Sequence, residues 1–164
     1  MVSERDGKHV FKVIDFGSIT ELYSINSTAG TPSYLAPERF TGSSINESSE
    51  IFSIGVTLYE ALTQKFPYGE IEPFQQPIFK TAISTTKLNK NIHDWLNSVI
   101  FRSIEPNSEK RYKNYSEMLF ELSNPNRVKP YFDSTKPLIK RNPELFYKIE
   151  FIIILAICVF ICLE

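Results

Sequence analysis

Cysteine is scarce in this chain of 164 residues: Cys158 and Cys162 are the only two, and both fall inside one apolar run near the C-terminal end. That leaves no disulfide framework and no Cys/His spacing for structural zinc. Histidine is equally sparse, and His9 and His93 stand too far apart in sequence to suggest a site. A charge excess of one sign is also missing. The net charge of −1 argues against a general nucleic-acid binder, so no nucleic-acid partner is expected. Polar residues follow Met1, so no secretory leader is expected and the body of the chain reads as cytosolic. There is no internal repeat and no low-complexity tract. What remains is an apolar content of 42%, enough for one sizeable core plus a tail.

Two motifs organise the first quarter. Val13-Ile14-Asp15-Phe16-Gly17 is an apolar strand ending in a carboxylate and a glycine, which suits a hard cation such as Mg²⁺: the carboxylate supplies oxygen and the glycine frees the backbone beyond it. Gly30-Thr31-Pro32-Ser33-Tyr34-Leu35-Ala36-Pro37-Glu38 follows, with 24 residues from Asp15 to Glu38 inclusive. Ahead of both, a polar turn at Ser3–Gly7 and the apolar residues Val10, Phe11, Val13 and Ile14 predict a β-hairpin. The interval between the motifs is polar. Its Ser18, Thr20, Ser24, Ser27 and Thr28 are either phosphoacceptors that order the loop by pairing with basic residues, or solvated hydroxyls.

In order and spacing these motifs resemble the activation segment of a Ser/Thr protein kinase, bounded by D-F-G and A-P-E. The resemblance covers roughly residues 1–124 and implies a mainly α fold: the large C-terminal lobe of a kinase, with a short N-terminal β-hairpin. It implies that Asp15, with Phe16 and Gly17, belongs to the ATP site and that Asp15 binds Mg²⁺. Thr28, Thr31 and Tyr34 would lie in the activation segment and help to dock a protein substrate. In Ser/Thr kinases the threonine matching Thr31 hydrogen-bonds to the catalytic loop. Glu38 would pair in the interior with Arg111, clipping the segment to the lobe; the bland alternative is an exposed arginine near a helix start.

A helical pattern runs over Glu50–Leu62, where Ile51, Phe52, Ile54, Val56, Leu58, Tyr59, Ala61 and Leu62 are apolar almost all round. It predicts a helix buried on every side, capped by Ser48 or Ser49. Ser53-Ile54-Gly55-Val56 is similar to the central helix of the kinase lobe. The family usually has aspartate where Glu50 stands, a side chain that holds the catalytic loop; either the longer side chain still reaches, or the interaction is lost. Residues 70–90 read as irregular. Ile92, Trp95, Leu96, Val99 and Ile100 form an amphipathic stripe with Asn89 or Asn91 as cap, and Met118, Leu119 and Leu122 mark a short helix before Pro125.

Residues 125–148 hold six Lys/Arg against two acids, with prolines at 125, 130, 137 and 143, so 125–144 reads as a basic, extended tether. Thirteen apolar residues follow from Phe151 to Leu163. Counted back to Leu145 they predict a transmembrane helix over 145–163, and the basic flank predicts a single-pass inner-membrane protein with its kinase-like domain in the cytoplasm. Cys158 and Cys162 read as small apolar residues or as lipidation sites. Phe66–Phe74, Arg141-Asn142-Pro143 and the apolar terminus resemble, more narrowly, the kinase half of bacterial membrane-anchored phosphatase–kinase fusion proteins.

By this resemblance the chain is a fragment of an ATP-dependent protein Ser/Thr kinase. It contains no glycine-rich loop, no phosphate-binding lysine in context and no H-R-D-type catalytic loop. ATP and Mg²⁺ would then be used only together with a missing N-terminal part, such as a separately encoded kinase half. The alternative is a non-catalytic, membrane-tethered interaction module.

Overall fold

The computed structural model describes residues 2–12, 30–131, 139 and 143–162. Strands β1 (Val2–Arg5) and β2 (Lys8–Phe11) pair antiparallel, Val2 opposite Phe11 and Arg5 opposite Lys8. Their turn is only Asp6-Gly7, both at positive φ (53° and 71°), the two-residue geometry that matches strand twist and favours Asp-Gly. Ser3–Arg5 is therefore strand, where the polar sequence suggests turn. The expected extension through Val13 and Ile14 lies outside the described residues.

From Gly30 onward the chain is helical. After a 3-10 turn at Pro32–Tyr34 come α1 (Pro37–Phe40), α2 (Glu47–Thr63), α3 (Thr85–Leu88), α4 (Asp94–Ser103), α5 (Tyr115–Ser123) and α6 (Pro143–Cys162). A mainly α fold with a short N-terminal hairpin is thus what the sequence encodes.

Helix α2 is the axis. Its start is three residues earlier than the apolar pattern suggests, because Asn46 caps it: Asn46 Oδ1 accepts from Ser49 N–H at 2.9 Å, and Ser49 Oγ accepts from Asn46 N–H at 3.0 Å. Nor is it buried on every side. Ile51, Phe52, Val56 and Tyr59 are inaccessible, but Ile54 is 41% exposed, and Thr57 and Ala61 share that open face. Gly55 faces α4 so closely that a Cβ there would stand 2.6 Å from Ser103 Cβ and 2.9 Å from Ile104 Cγ2. Glycine at this position sets how near the two helices come.

Two apolar clusters flank α2. One gathers Ala36, Phe52, Val56, Tyr59, Ala82, Ile100 and Ile104; the other gathers Ile51, Val99, Tyr112 and Met118. Residues 70–92, expected to be irregular throughout, include α3 and are fixed by polar contacts that their sequence does not announce. Asn97 Oδ1 accepts from the N–H and the hydroxyl of buried Thr85, at 3.0 and 2.8 Å. Between α4 and α5, Arg102 binds Glu117 and Glu121 and lies 4.1 Å over the Tyr112 ring. Helix α4 begins after His93, whose side chain makes no cap bond, rather than after Asn89 or Asn91. On α5, capped by Asn114, Met118 is buried but Leu119 is 63% exposed.

Past α5 the chain still packs on the helical body. Val128 packs on the second cluster, and Tyr131 N–H donates to Ser98 Oγ at 3.2 Å.

The transmembrane helix expected over 145–163 is not found: among the described residues no helix is long and apolar enough to cross a membrane. Helix α6 opens with Glu144, Lys148 and Glu150, the first two joined in an ion pair at 2.7 Å. Twelve apolar residues, Phe151–Cys162, remain in it, a length of roughly 18 Å against the ~30 Å of a hydrocarbon core. The membrane tether, the membrane as a partner and the single-pass inner-membrane placement with a cytoplasmic domain fall with it.

Candidate functional site

The segment from Gly30 to Phe40 runs along α2, and each of its turns is pinned by a different group. Tyr34 N–H and Leu35 N–H bond back to the Thr31 and Pro32 carbonyls at 3.0 and 3.1 Å, closing the 3-10 turn. Ser53 Oγ on α2 donates to the Tyr34 carbonyl at 2.9 Å. Tyr34 Oη donates to Glu60 Oε2 at 2.5 Å, two turns further along the helix. That bond, then burial and the Glu60 charge, push the Tyr34 phenol above its usual pKa. Ser33, buried, accepts from Ile71 N–H at 2.9 Å and so ties the segment to the loop after α2.

At the other end stands Arg111, whose side chain is wholly inaccessible. Its guanidinium spends all five donors. Nη1 and Nη2 bond to the two carboxylate oxygens of Glu38 at 2.8 and 2.5 Å. Nη1 also reaches the Ser48 carbonyl at 2.9 Å, Nε the Glu105 carbonyl at 2.7 Å, and Nη2 the Pro106 carbonyl at 3.2 Å. The Phe52 ring lies 5.1 Å from its central carbon. Three separate stretches of chain, α1, α2 and the turn after α4, meet on this one cation.

Pro32, Leu35, Arg39 and Phe40 form one wall of an open groove whose other wall is Pro73 and Phe74. Phe74 is fully solvent-exposed and held at φ 68°, a left-handed conformation unfavourable for an aromatic residue. A buried core gains nothing from such a placement.

The structure brings Tyr34, Glu38 and Arg111 together along α2. Thr31 is exposed just ahead of the 3-10 turn. Glu50, half-buried, does not join the Arg111 cluster, whose donors are all taken; it sits near Tyr115, where burial and then the charges of Glu50 and Glu47 raise the phenol's pKa. Asp15, Phe16, Gly17 and Thr28 lie outside the described residues. Among the described residues no group of three or more His, Cys, Asp or Glu could hold a metal ion. Glu60, Ser53 and Phe74 are contributions that sequence reasoning misses. Each acts on a residue 19 or more positions away or through backbone conformation, and neither leaves a local pattern.

Residues 1–121 match the model of the protein kinase domain family. A protein of Clostridium acetobutylicum described as a probable serine/threonine-protein kinase is 36% identical over 132 residues, 76% of this chain and 20% of that protein. The serine/threonine-protein kinase PknB of Mycobacterium leprae is 32% identical over 120 residues, 68% of this chain and 19% of the relative. The chain thus spans about a fifth of the length of the curated relatives it matches.

Proposed function

Because this chain belongs to the protein kinase domain family, we propose that it is the part of a Ser/Thr protein kinase that fixes the activation segment and receives the protein substrate, in an enzyme that moves the γ-phosphate of ATP to a serine or threonine hydroxyl. The observation that carries the reading is the Arg111–Glu38 pair, which holds the A-P-E end of the segment against α2. Phosphoryl transfer depends on positioning and charge stabilisation more than on covalent chemistry by the protein. A rigid floor for the acceptor peptide is therefore a functional part. Tyr34, tied to Ser53 and Glu60, sets the height of that floor, and the groove between Leu35 and Phe74 takes the residues flanking the acceptor. Thr28 and Thr31 are assigned to the same segment by sequence position.

ATP with Mg²⁺ supplies the phosphoryl group and offsets its charge, and Asp15, beside Phe16 and Gly17, is the residue of this chain assigned to the metal on sequence grounds. Alone, the 164-residue chain should not transfer phosphate, since its sequence contains no glycine-rich loop, phosphate-binding lysine or catalytic aspartate in context. The likeness of Phe66–Phe74 to kinases joined to phosphatases supports the narrower reading that a phosphatase domain accompanies this one. The second reading is a non-catalytic interaction module. It is favoured by the clamp and the groove, which are assembled entirely from residues between Gly30 and Arg111 of this chain.

The two readings separate in a chimera. Residues 1–131 are joined behind the small lobe and catalytic loop of the Mycobacterium leprae relative, and transfer of labelled phosphate from Mg-ATP to a serine-rich protein is measured. Transfer that disappears in Asp15→Ala supports the kinase reading. A folded chimera that binds the substrate protein without phosphorylating it would establish the interaction module instead.

A further inference from the structure

We infer that residues 128–131 form a strap that holds the Glu105–Pro106 turn in place, and that Tyr131 is thereby a positioning residue for the Arg111–Glu38 clamp. The inference rests on the clamp's geometry and not on phosphoryl transfer.

The turn between α4 and the 3-10 turn at Ser108–Lys110 has no regular secondary structure to fix it. Yet its two carbonyls, Glu105 and Pro106, accept two of the five hydrogen bonds of Arg111. A guanidinium buried this completely tolerates little drift in its acceptors, because each lost bond leaves a desolvated N–H without a partner.

Tyr68 Oη holds the Ile104 carbonyl at the start of the turn at 2.5 Å, and the chain beyond α5 fixes it from outside. Val128 enters the cluster of Ile51, Val99, Tyr112 and Met118. Pro130 stiffens the next step by restricting its own φ and the residue before it. Tyr131 then donates its N–H to Ser98 Oγ on α4 and its phenol hydroxyl to Glu105 Oε2. The Tyr131 ring, with Phe101, Ile104 and Pro106, walls the small cavity beside the turn. Glu105 is thus held on both sides, its carboxylate by the strap and its carbonyl by Arg111. The path from the strap to the activation segment is Tyr131, Glu105, Arg111, Glu38, with a hydrogen bond at every link.

The test uses the full chain with hydrogen exchange read by mass spectrometry. Tyr131→Phe removes only the hydroxyl, and Val128→Ala loosens the strap through packing instead. In both variants, exchange at the Lys110 and Arg111 amides and across Tyr34–Arg39 should rise at least threefold, while the amides in the middle of α2 keep their protection. Faster exchange confined to 128–131 in both variants would overturn the inference, because the strap would then end at itself. A uniform rise that includes α2 would also overturn it, by showing loss of global stability in place of a directed link.

Discussion

Arg111 and Glu38 meet across 73 residues of chain, with two guanidinium nitrogens on two carboxylate oxygens at 2.8 and 2.5 Å, and with the arginine side chain fully buried. Removing one partner leaves the other's charge uncompensated, which costs on the order of 3–5 kcal/mol in buried pairs. Glu38→Ala is expected to lose about that much in urea unfolding of the full chain, because the stranded cation has no access to water. Glu38→Gln, which keeps an acceptor, should lose distinctly less. Equal, small losses in the two variants would show that the carbonyls of Ser48, Glu105 and Pro106 hold Arg111 without help.

Gly55 is a test of sign. Alanine is the better helix former by about 1 kcal/mol, so Gly55→Ala on an open helix would stabilise. Here the new methyl would sit 2.6 Å from Ser103 Cβ and 3.3 Å from the Ile104 backbone nitrogen. Overpacking of this kind costs typically 1–3 kcal/mol. A net fall in the unfolding midpoint is expected, partly recovered when Ser103→Gly is added. A stabilised Gly55→Ala would mean that α2 and α4 can separate freely.

Asn46→Ala removes the side-chain half of the α2 capping box and should cost about 1 kcal/mol, with Asn46→Asp close to the parent. Ser48→Ala should change little, because its hydroxyl is buried without a hydrogen-bond partner among the described residues. The comparison is made by chemical denaturation, and a larger loss in Ser48→Ala would move the cap to Ser48, one of the two serines that sequence alone suggests.

Burial, then the hydrogen bond to Glu121 and its charge, hold the Tyr112 phenol well above the ordinary tyrosine value of 10.0, against the opposing effect of Arg102. The folded state therefore keeps this proton after the unfolded chain has released it. The contribution is complete below pH 10 and declines as pH rises beyond that value. Stability measured from pH 8 to 11 should fall at the alkaline end, and Tyr112→Phe should flatten the fall. An unchanged slope would assign the alkaline loss to other tyrosines, such as Tyr59, whose pKa burial also raises.

Phe74 is strained and exposed, so Phe74→Gly should leave the unfolding free energy equal or higher. In the chimera the same change should raise KM for a protein substrate while leaving kcat nearly unaltered. Loss of stability would show that the ring packs on something in solution.

The helical lobe was legible because Ile51, Phe52, Val56 and Tyr59 on α2, and Val99 and Ile100 on α4, recur at helical spacing and do face the core. Helix starts were less so. Asn46 and Asn114 cap because their side chains reach back to N–H groups three residues on, a choice that several nearby polar residues could equally make. Tyr34 could be singled out but its partner Glu60 could not, since a contact over 26 residues leaves no trace in local pattern. The apolar run after Phe151 reads as a span only when Lys148 and Glu150 are absorbed into it, and in the structure those residues form the charged first turns of α6.

The 73-residue separation between Glu38 and Arg111 also has a direction in time. Synthesis proceeds from the N-terminus at about 5–20 residues per second, so the ribosome places the glutamate roughly 4–15 s before it places the arginine. For that interval the carboxylate has no guanidinium to meet, and Ser48 reaches completion alongside it well ahead of Glu105 and Pro106. Docking of the Gly30–Phe40 segment is therefore among the last events of making the helical body, and a pause in translation anywhere between Ser49 and Lys110 would lengthen the interval in which it stays undocked.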